Sequence, residues 1–370
     1  MLKRLLAVFT AMLLTLATYA FAQELRDDHP ATYVVQKGDT LWDISARFLK
    51  KPWLWPEIWQ ANPQVKNPHL IYPGDVLSLV YIDGNRVTAT GPRAGDAITA
   101  IPLGELEAFL KQLTIVDDAQ SYPYVIGLED DRLLSSSGQL AYVRGMSGAQ
   151  PGQLVQVARA INKYYRGKKF TRSNDLNFRG DEYDRDWDKY WADAGRGNYD
   201  GNPVGTEMML HSIGEVTQVA DNGIVSVLLR EEEREVRVGD RILPVEAQPY
   251  DPYFYPSAMN SVPEGGRIAA ITDGLYAAGK YQVIALSLGS ADGVRNGNTF
   301  GIWHEGEIRP DEVKHKSLMA AKHDKVKMPD EFVGHVMVFR TFNYVSYGLI
   351  MDGIKPARVG DLLKHPDATR

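Results

Sequence analysis

The side chains best suited to metal or acid–base chemistry are eight histidines, and their spacing excludes most of it. His29, His69, His211, His304, His315, His323, His335 and His365 contain no His-x-His pair. The dipeptide His304-Glu305 opens an H-E-x-x-H pattern, but Ile308 stands where the second histidine is needed. Asp184, Asp186 and Asp188 imitate the start of a calcium loop, yet Lys189 and Gly195 occupy the turn-glycine and bidentate-acid positions. No cysteine is present, which removes a thiol nucleophile, thiolate metal sites, disulfides and a lipid-modified N-terminal cysteine. No Gly-x-Ser-x-Gly elbow occurs. The expectation is a binding protein with no cofactor and no metal. A pair of carboxylates for glycoside hydrolysis leaves no motif, so a peptidoglycan hydrolase, or an activator of one, stands as the alternative.

The elements that would position any binding residues follow from length and patterning. A chain of 370 residues with 44% hydrophobic and 24% charged side chains suits two or three folded domains. Its formal charge of -6 argues against nucleic acid as a partner, because neutralising phosphate takes a basic surface. Lys3 and Arg4, an apolar run from Leu5 to about Ala20, and Ala20-Phe21-Ala22 read as a cleavable export signal. Cleavage after Ala22 takes the formal charge to -8 and leaves no transmembrane segment, which predicts a periplasmic product.

Tyr33 to Val35 alternates as a strand and gives way at Gly38-Asp39 to helical spacing. Thr40 with Asp43 forms a capping-box pattern, placing Leu41, Ile44, Ser45 and Phe48 on one face. Pro56 opens a second helix in which Trp55, Ile58 and Trp59 share a face, so Trp55 and Trp59 read as core. A loop through His69, Leu70 and Ile71 reaches Tyr72-Pro73-Gly74-Asp75 and a last strand, Val76 to Val80.

Strand, helix, helix and strand, entered by Gly-Asp-Thr-Leu-Trp and left by Ile-Tyr-Pro-Gly-Asp, closely resembles the LysM family over residues 33–80. The resemblance implies binding to the N-acetylglucosamine-containing glycan of peptidoglycan. It places the binding residues on two loops: Gly38, Asp39, Thr40 and Leu41 on the first, His69, Leu70 and Ile71 on the second. Those types suit a sugar. A glycine lets backbone amides approach closely, and apolar side chains meet the acetyl methyl and the sugar face. Each position also has a purely structural use: Gly38 as turn, Thr40 as cap, Leu41 and Ile71 as core.

Residues 81–100 read as a linker rich in Gly and Pro, and 101–145 as a small mixed segment with an amphipathic helix from Leu103 to Leu113. Strands are expected at Tyr124–Leu128 and Gln139–Val143. Beyond them a pattern repeats. Gly214 precedes Val238-Gly239-Asp240, and Gly334 precedes Val359-Gly360-Asp361, predicting two small barrel-like β units at 146–245 and 266–366, joined by a connector at 246–265. The first carries a charged, aromatic insertion at 163–200, either a docking surface or a solvated hairpin. The second carries a charged stretch from His304 to Glu331 that reads as a plain loop, and Glu231 to Glu235 reads as a hairpin tip.

The fold class is therefore α+β, mainly β: a βααβ LysM module and a β-rich remainder. That remainder resembles the C-terminal region of the flagellar FlgT family. The domain order as a whole resembles the TsaP family of type IV pilus secretin-associated proteins. The implied role is a periplasmic adaptor tying an outer-membrane secretin, or a related envelope ring, to peptidoglycan.

Overall fold

The computed structural model describes residues 25–30, 32–56, 72–78, 106, 112–167, 191–192, 201–232, 234–245, 255–272, 277–310, 313–314 and 325–369. The expected export signal, the second LysM helix beyond Pro56, and the loop residues His69, Leu70 and Ile71 lie outside them, as do the whole linker at 81–100 and most of the insertion at 163–200. The chain divides into two compact units, residues 1–103 with 253–258, and residues 104–252 with 259–370. No helix among the described residues is long and apolar enough to cross a membrane.

In the first unit, β1 (Thr32–Val34) pairs antiparallel with β2 (Val76–Ser78), and α1 (Leu41–Phe48) packs its apolar face inward. Thr40 caps α1: its Oγ1 accepts from the Asp43 amide at 3.1 Å, and its hydroxyl donates to the Asp43 carboxylate at 2.8 Å. The face expected from spacing is the buried one, with Leu41, Ile44, Ser45 and Phe48 all inside. Val35, Leu49, Trp55 and Leu77 complete this small core, where each large side chain contributes roughly 1.5–3 kcal/mol by leaving water. A 3₁₀ turn, Pro52–Leu54, follows α1.

The regular elements of the second unit's described residues are antiparallel strands and short 3₁₀ turns, with a helical residue at Leu106. In chain order its first strands are β3 (Leu113–Val116), β4 (Tyr124–Leu128), β5 (Leu140–Arg144), β6 (Leu154–Gly167), β7 (Trp191–Ala192), β8 (Gly201–Val219), β9 (Val225–Glu232) and β10 (Arg241–Pro244). β11 (Ser257–Ala258) belongs to the first unit, and the second continues with β12 (Ile268–Thr272), β13 (Val283–Leu286), β14 (Asn298–His304), β15 (Ile308–Pro310) and β16 (Lys325–Lys327). Then follow β17 (Glu331–Thr341), β18 (Ser346–Gly353) and β19 (Leu362–Lys364).

Pairings run β4–β5–β9–β8–β6–β10 and back to β4, a closed six-stranded barrel. The circuit β12–β13–β18–β17–β14–β19 repeats it, closed by a bridge between Arg267 and Leu362. Closure removes the open edges that make small sheets prone to pair with other chains. Each barrel is filled by its own cluster, with Val125, Val143, Val157 and Val227 in the first and Ile284, Phe300, Val338 and Ile350 in the second.

The repeat is real, but its register differs from the one read off the glycines. Gly239 and Gly360 are equivalent, since each donates to a carbonyl at the start of its barrel's first strand, Val125 in β4 or Ile268 in β12. Gly214 and Gly334 are not. The Gly152 amide bonds the Val216 carbonyl and the Gly297 amide bonds Val338, so Gly214 stands opposite Val336. Three further expectations are corrected. Leu113 begins β3, paired with Met209, instead of ending a helix. Glu231 and Glu232 continue β9 against Ile213 and Ser212 and are no hairpin tip. The stretch after His304 holds a two-stranded ribbon, β15–β16, and is no plain loop.

Between the barrels, Glu207 of β8 is fully buried and accepts from the hydroxyls of Tyr164, at 3.2 Å, and Tyr347. Burial, and next the Glu207 charge, push the Tyr347 hydroxyl well above its usual range. Arg340 of β17 donates to the Leu113 carbonyl and, at 3.3 Å, to Thr114 Oγ1. These contacts join strands from both barrels.

Candidate functional site

Two short turns frame the candidate site in the first unit. In Gln36-Lys37-Gly38-Asp39, the Asp39 amide donates to the Gln36 carbonyl at 3.2 Å, and Asp39 Oδ2 accepts from the Gln36 amide at 2.8 Å. Tyr72-Pro73-Gly74-Asp75 is built the same way, with both bonds at 3.0 Å. Gly38 has φ +93°, a left-handed conformation that strains any residue with a Cβ, and a Cβ there would meet open space. The glycine thus leaves the outer surface of the first turn as bare backbone.

The turns are tied to each other through Val35. Its amide donates to the Asp75 carbonyl and its carbonyl accepts from Gly74, both at 2.9 Å. The end of the second loop is therefore clamped one strand-width from the start of the first. His69, Leu70 and Ile71 lead into this clamp in sequence but lie outside the described residues.

The first-loop residues separate by role. Gly38 is exposed, and Asp39 is partly buried. Asp39 Oδ2 also accepts from the Tyr33 hydroxyl at 2.9 Å, so this carboxylate holds the turn in shape. The Arg47 guanidinium lies over the Tyr33 ring, 4.8 Å from its centre, bracing the same corner. Burial and the Asp39 bond raise the Tyr33 hydroxyl above its ordinary value. Thr40 and Leu41 are 4% and 5% exposed, as cap and core. Trp55 is buried, as expected from its spacing, and stacks on Tyr255 with centroids 5.9 Å apart. Trp42 and Trp53 are buried as well, their rings 6.5 Å apart. These three tryptophans are thus unavailable for stacking on a sugar.

Tyr33 and Asp75 were missed as contributors. The signal for both was available, since Asp75 repeats the Gly-Asp spacing of Gly38-Asp39, and Tyr33 follows strand alternation toward the same corner.

A turn of exposed amides and carbonyls, with a second loop clamped beside it, suits a ligand bearing N-acetyl and hydroxyl groups. Comparison with known proteins agrees, for residues 33–80 match the LysM domain family. Residues 33–80 form a LysM domain. LysM is a glycan-binding module directed at peptidoglycan, is not itself catalytic, and associates its chain with cell wall. The chain is also similar to the uncharacterized protein YqbP of Bacillus subtilis (strain 168), 37% identical over 60 residues. That match covers 14% of this chain and 27% of the relative, so the likeness concerns one segment of each.

Outside the LysM domain, the first barrel holds a cavity of about 350 Å³ bordered by Asp117, Asp118, Arg159, Lys163, Arg237 and Asp240. Arg159 is already committed to Asp240 by bonds of 2.8 and 2.9 Å. The opposing charges around the rim select neither an anion nor a cation. Among the described residues, no group of three His, Asp or Glu side chains is arranged to hold a metal.

Proposed function

We propose that this chain is a non-catalytic periplasmic adaptor whose LysM domain holds the N-acetylglucosamine-containing glycan of peptidoglycan while its two barrels hold an envelope machine. The observation that carries the glycan half is the bare Gly38 turn clamped against the second loop within a LysM domain. On this reading Gly38, Asp39, Thr40 and Leu41 contribute through the main chain, and His69, Leu70 and Ile71 form the opposite wall. The machine half is supported by the size and closure of the barrel pair and by the TsaP-like domain order, which points to an outer-membrane secretin or a related ring. A single shallow sugar site binds weakly, and copies arrayed on a ring gain strength through effective concentration.

Co-sedimentation of the full chain with purified sacculi tests the glycan half. Gly38→Asn keeps a residue that tolerates the left-handed conformation yet covers the turn with a side chain. It should weaken glycan affinity about tenfold while circular dichroism stays unchanged. Unaltered binding would move the site elsewhere. Zymography on peptidoglycan tests the rest, because a clearing band lost on replacing one carboxylate would show hydrolysis and end the adaptor reading. Co-purification from detergent-solubilised envelopes should recover a ring component, and its absence would remove the secretin assignment.

A further inference from the structure

The two barrels each send out an arm at the same point of the chain, and among the described residues one of the two pairs with a strand outside itself. In the first barrel the arm leaves between β6 and β8, and its residues Trp191 and Ala192 form β7. β7 pairs with the outer edge of β12 in the second barrel, Ala192 opposite Ile271 and Trp191 opposite Thr272. In the second barrel the arm leaves between β14 and β17 and contains the ribbon β15–β16. That ribbon pairs only with itself among the described residues. Ile308 is 65% exposed and Val326 44% exposed, and Arg309, Lys325 and Lys327 are exposed beside them. A lone two-stranded ribbon is marginal in water, so it gains from a third strand.

The barrel repeat says where that strand should be. Val125 and Ile268 are equivalent, each donating to the aspartate carbonyl of its turn, Asp240 or Asp361. Both strands are bulged at the next residue, so Leu128 of β4 matches Ile271, the residue that receives β7. Leu128 is paired with Ala141 of β5 on one side, and no strand pairs with it on the other side among the described residues. The chain around this edge is apolar and acidic: Ile126, Leu133 and Leu134 are 41%, 88% and 46% exposed, and Glu129 and Asp130 follow β4 directly. Lys327 lies 3.5 Å from Glu305 and 3.8 Å from Asp330, Arg309 2.8 Å from Glu307, and Asp130 3.5 Å from Arg132, all pairs with an exposed cation that the ribbon lysines and the edge acids can exchange for one another.

We propose that the β15–β16 ribbon of one copy adds to the β4 edge of a second copy, as β7 adds to β12 within the chain. Main-chain bonds give the contact its strength, and the lysines against Glu129 and Asp130 set its direction. The contact is heterologous, so it repeats from copy to copy and closes into a ring or continues as a filament.

The natural absence of cysteine makes a clean test. Full-length chains carrying Leu133→Cys and Val326→Cys are purified separately, mixed and mildly oxidised. A mixed dimer should dominate over either symmetric one. Predominance of the symmetric Leu133→Cys or Val326→Cys dimers would overturn the head-to-tail arrangement. Sedimentation velocity of the unaltered full chain at low salt should show larger species growing with concentration. Lys325→Glu with Lys327→Glu should weaken that association about tenfold without altering circular dichroism. A monomer at every soluble concentration, with no mixed dimer, would overturn the proposal and leave the ribbon to a different partner.

Discussion

The two barrels share one strand circuit and one closing turn, yet they neutralise the aspartate of that turn in different ways. Asp240 accepts from the Arg237 amide at 2.8 Å, and Asp361 accepts from the Arg358 amide at 2.8 Å. Facing Asp240 is Arg159, almost fully buried and bidentate. Facing Asp361, at the equivalent place on β14, is the partly exposed His304, with Nδ1 2.6 Å from Oδ1. The first barrel thus commits a guanidinium–carboxylate pair to its interior, and the second uses a partly exposed imidazole at the same place. Burial, the leading cause, raises the Asp361 carboxyl above its ordinary value. A buried pair is costly to break from one side, whereas a neutral hydrogen bond is cheap to replace.

The sharpest test of this contrast is the same substitution in both places. Asp240→Asn leaves Arg159 buried without its partner charge and should cost about 3–5 kcal/mol. Asp361→Asn keeps an acceptor for the Arg358 amide and a donor toward His304, and should cost about 1 kcal/mol. Urea unfolding followed by hydrogen exchange on peptides from each barrel measures both. Equal losses would break the comparison.

Acid should separate the barrels next. His211 of β8, beside the Arg159–Asp240 pair, donates from Nδ1 to the Glu235 carbonyl at 2.8 Å. Burial, followed by the Arg159 charge, lowers its pKa from 6.5 to about 4. Between those values the unfolded chain takes up a proton that the folded barrel refuses, so stability falls as pH drops from 6.5 toward 4. The loss should reach ~3 kcal/mol and be confined to the first barrel. In His211→Asn the slope from this residue should vanish.

A smaller effect should be shared by both. Tyr347→Phe removes one of the two hydroxyls on buried Glu207 and should cost about 1–2 kcal/mol, with faster exchange in β8 and β18 together. Smallest of all, Lys355→Ala removes an ion pair with Glu331 whose side chains are half exposed, and should leave the urea midpoint of either barrel unchanged.

Much of this was legible in the chain itself. The LysM helix start at Thr40, its buried face and the core role of Trp55 followed from spacing, because local caps and helical periodicity act over three or four residues. The two Val-Gly-Asp turns marked a repeat, because a tight turn requires glycine wherever it is used. Alignment by glycine failed at Gly214 and Gly334, since each of these meets a different steric demand. A Cβ on Gly214 would strike the Val227 side chain, and one on Gly334 the Asp352 carbonyl. Neither demand comes from the repeat. Leu41, carried over as a sugar contact with a core role as its alternative, is buried in the module's core, a placement that the motif by itself left open.

Residue order by itself determined the glycan-binding module, the strand content and the existence of two like units, because each rests on patterns a few residues long. Tertiary structure decided the rest: which strands close each barrel, which cation faces each aspartate, and which arm lends a strand to its neighbour. Those depend on pairings between residues far apart in the chain, such as Arg159 with Asp240 and Trp191 with Thr272, and no local propensity encodes a partner at that distance.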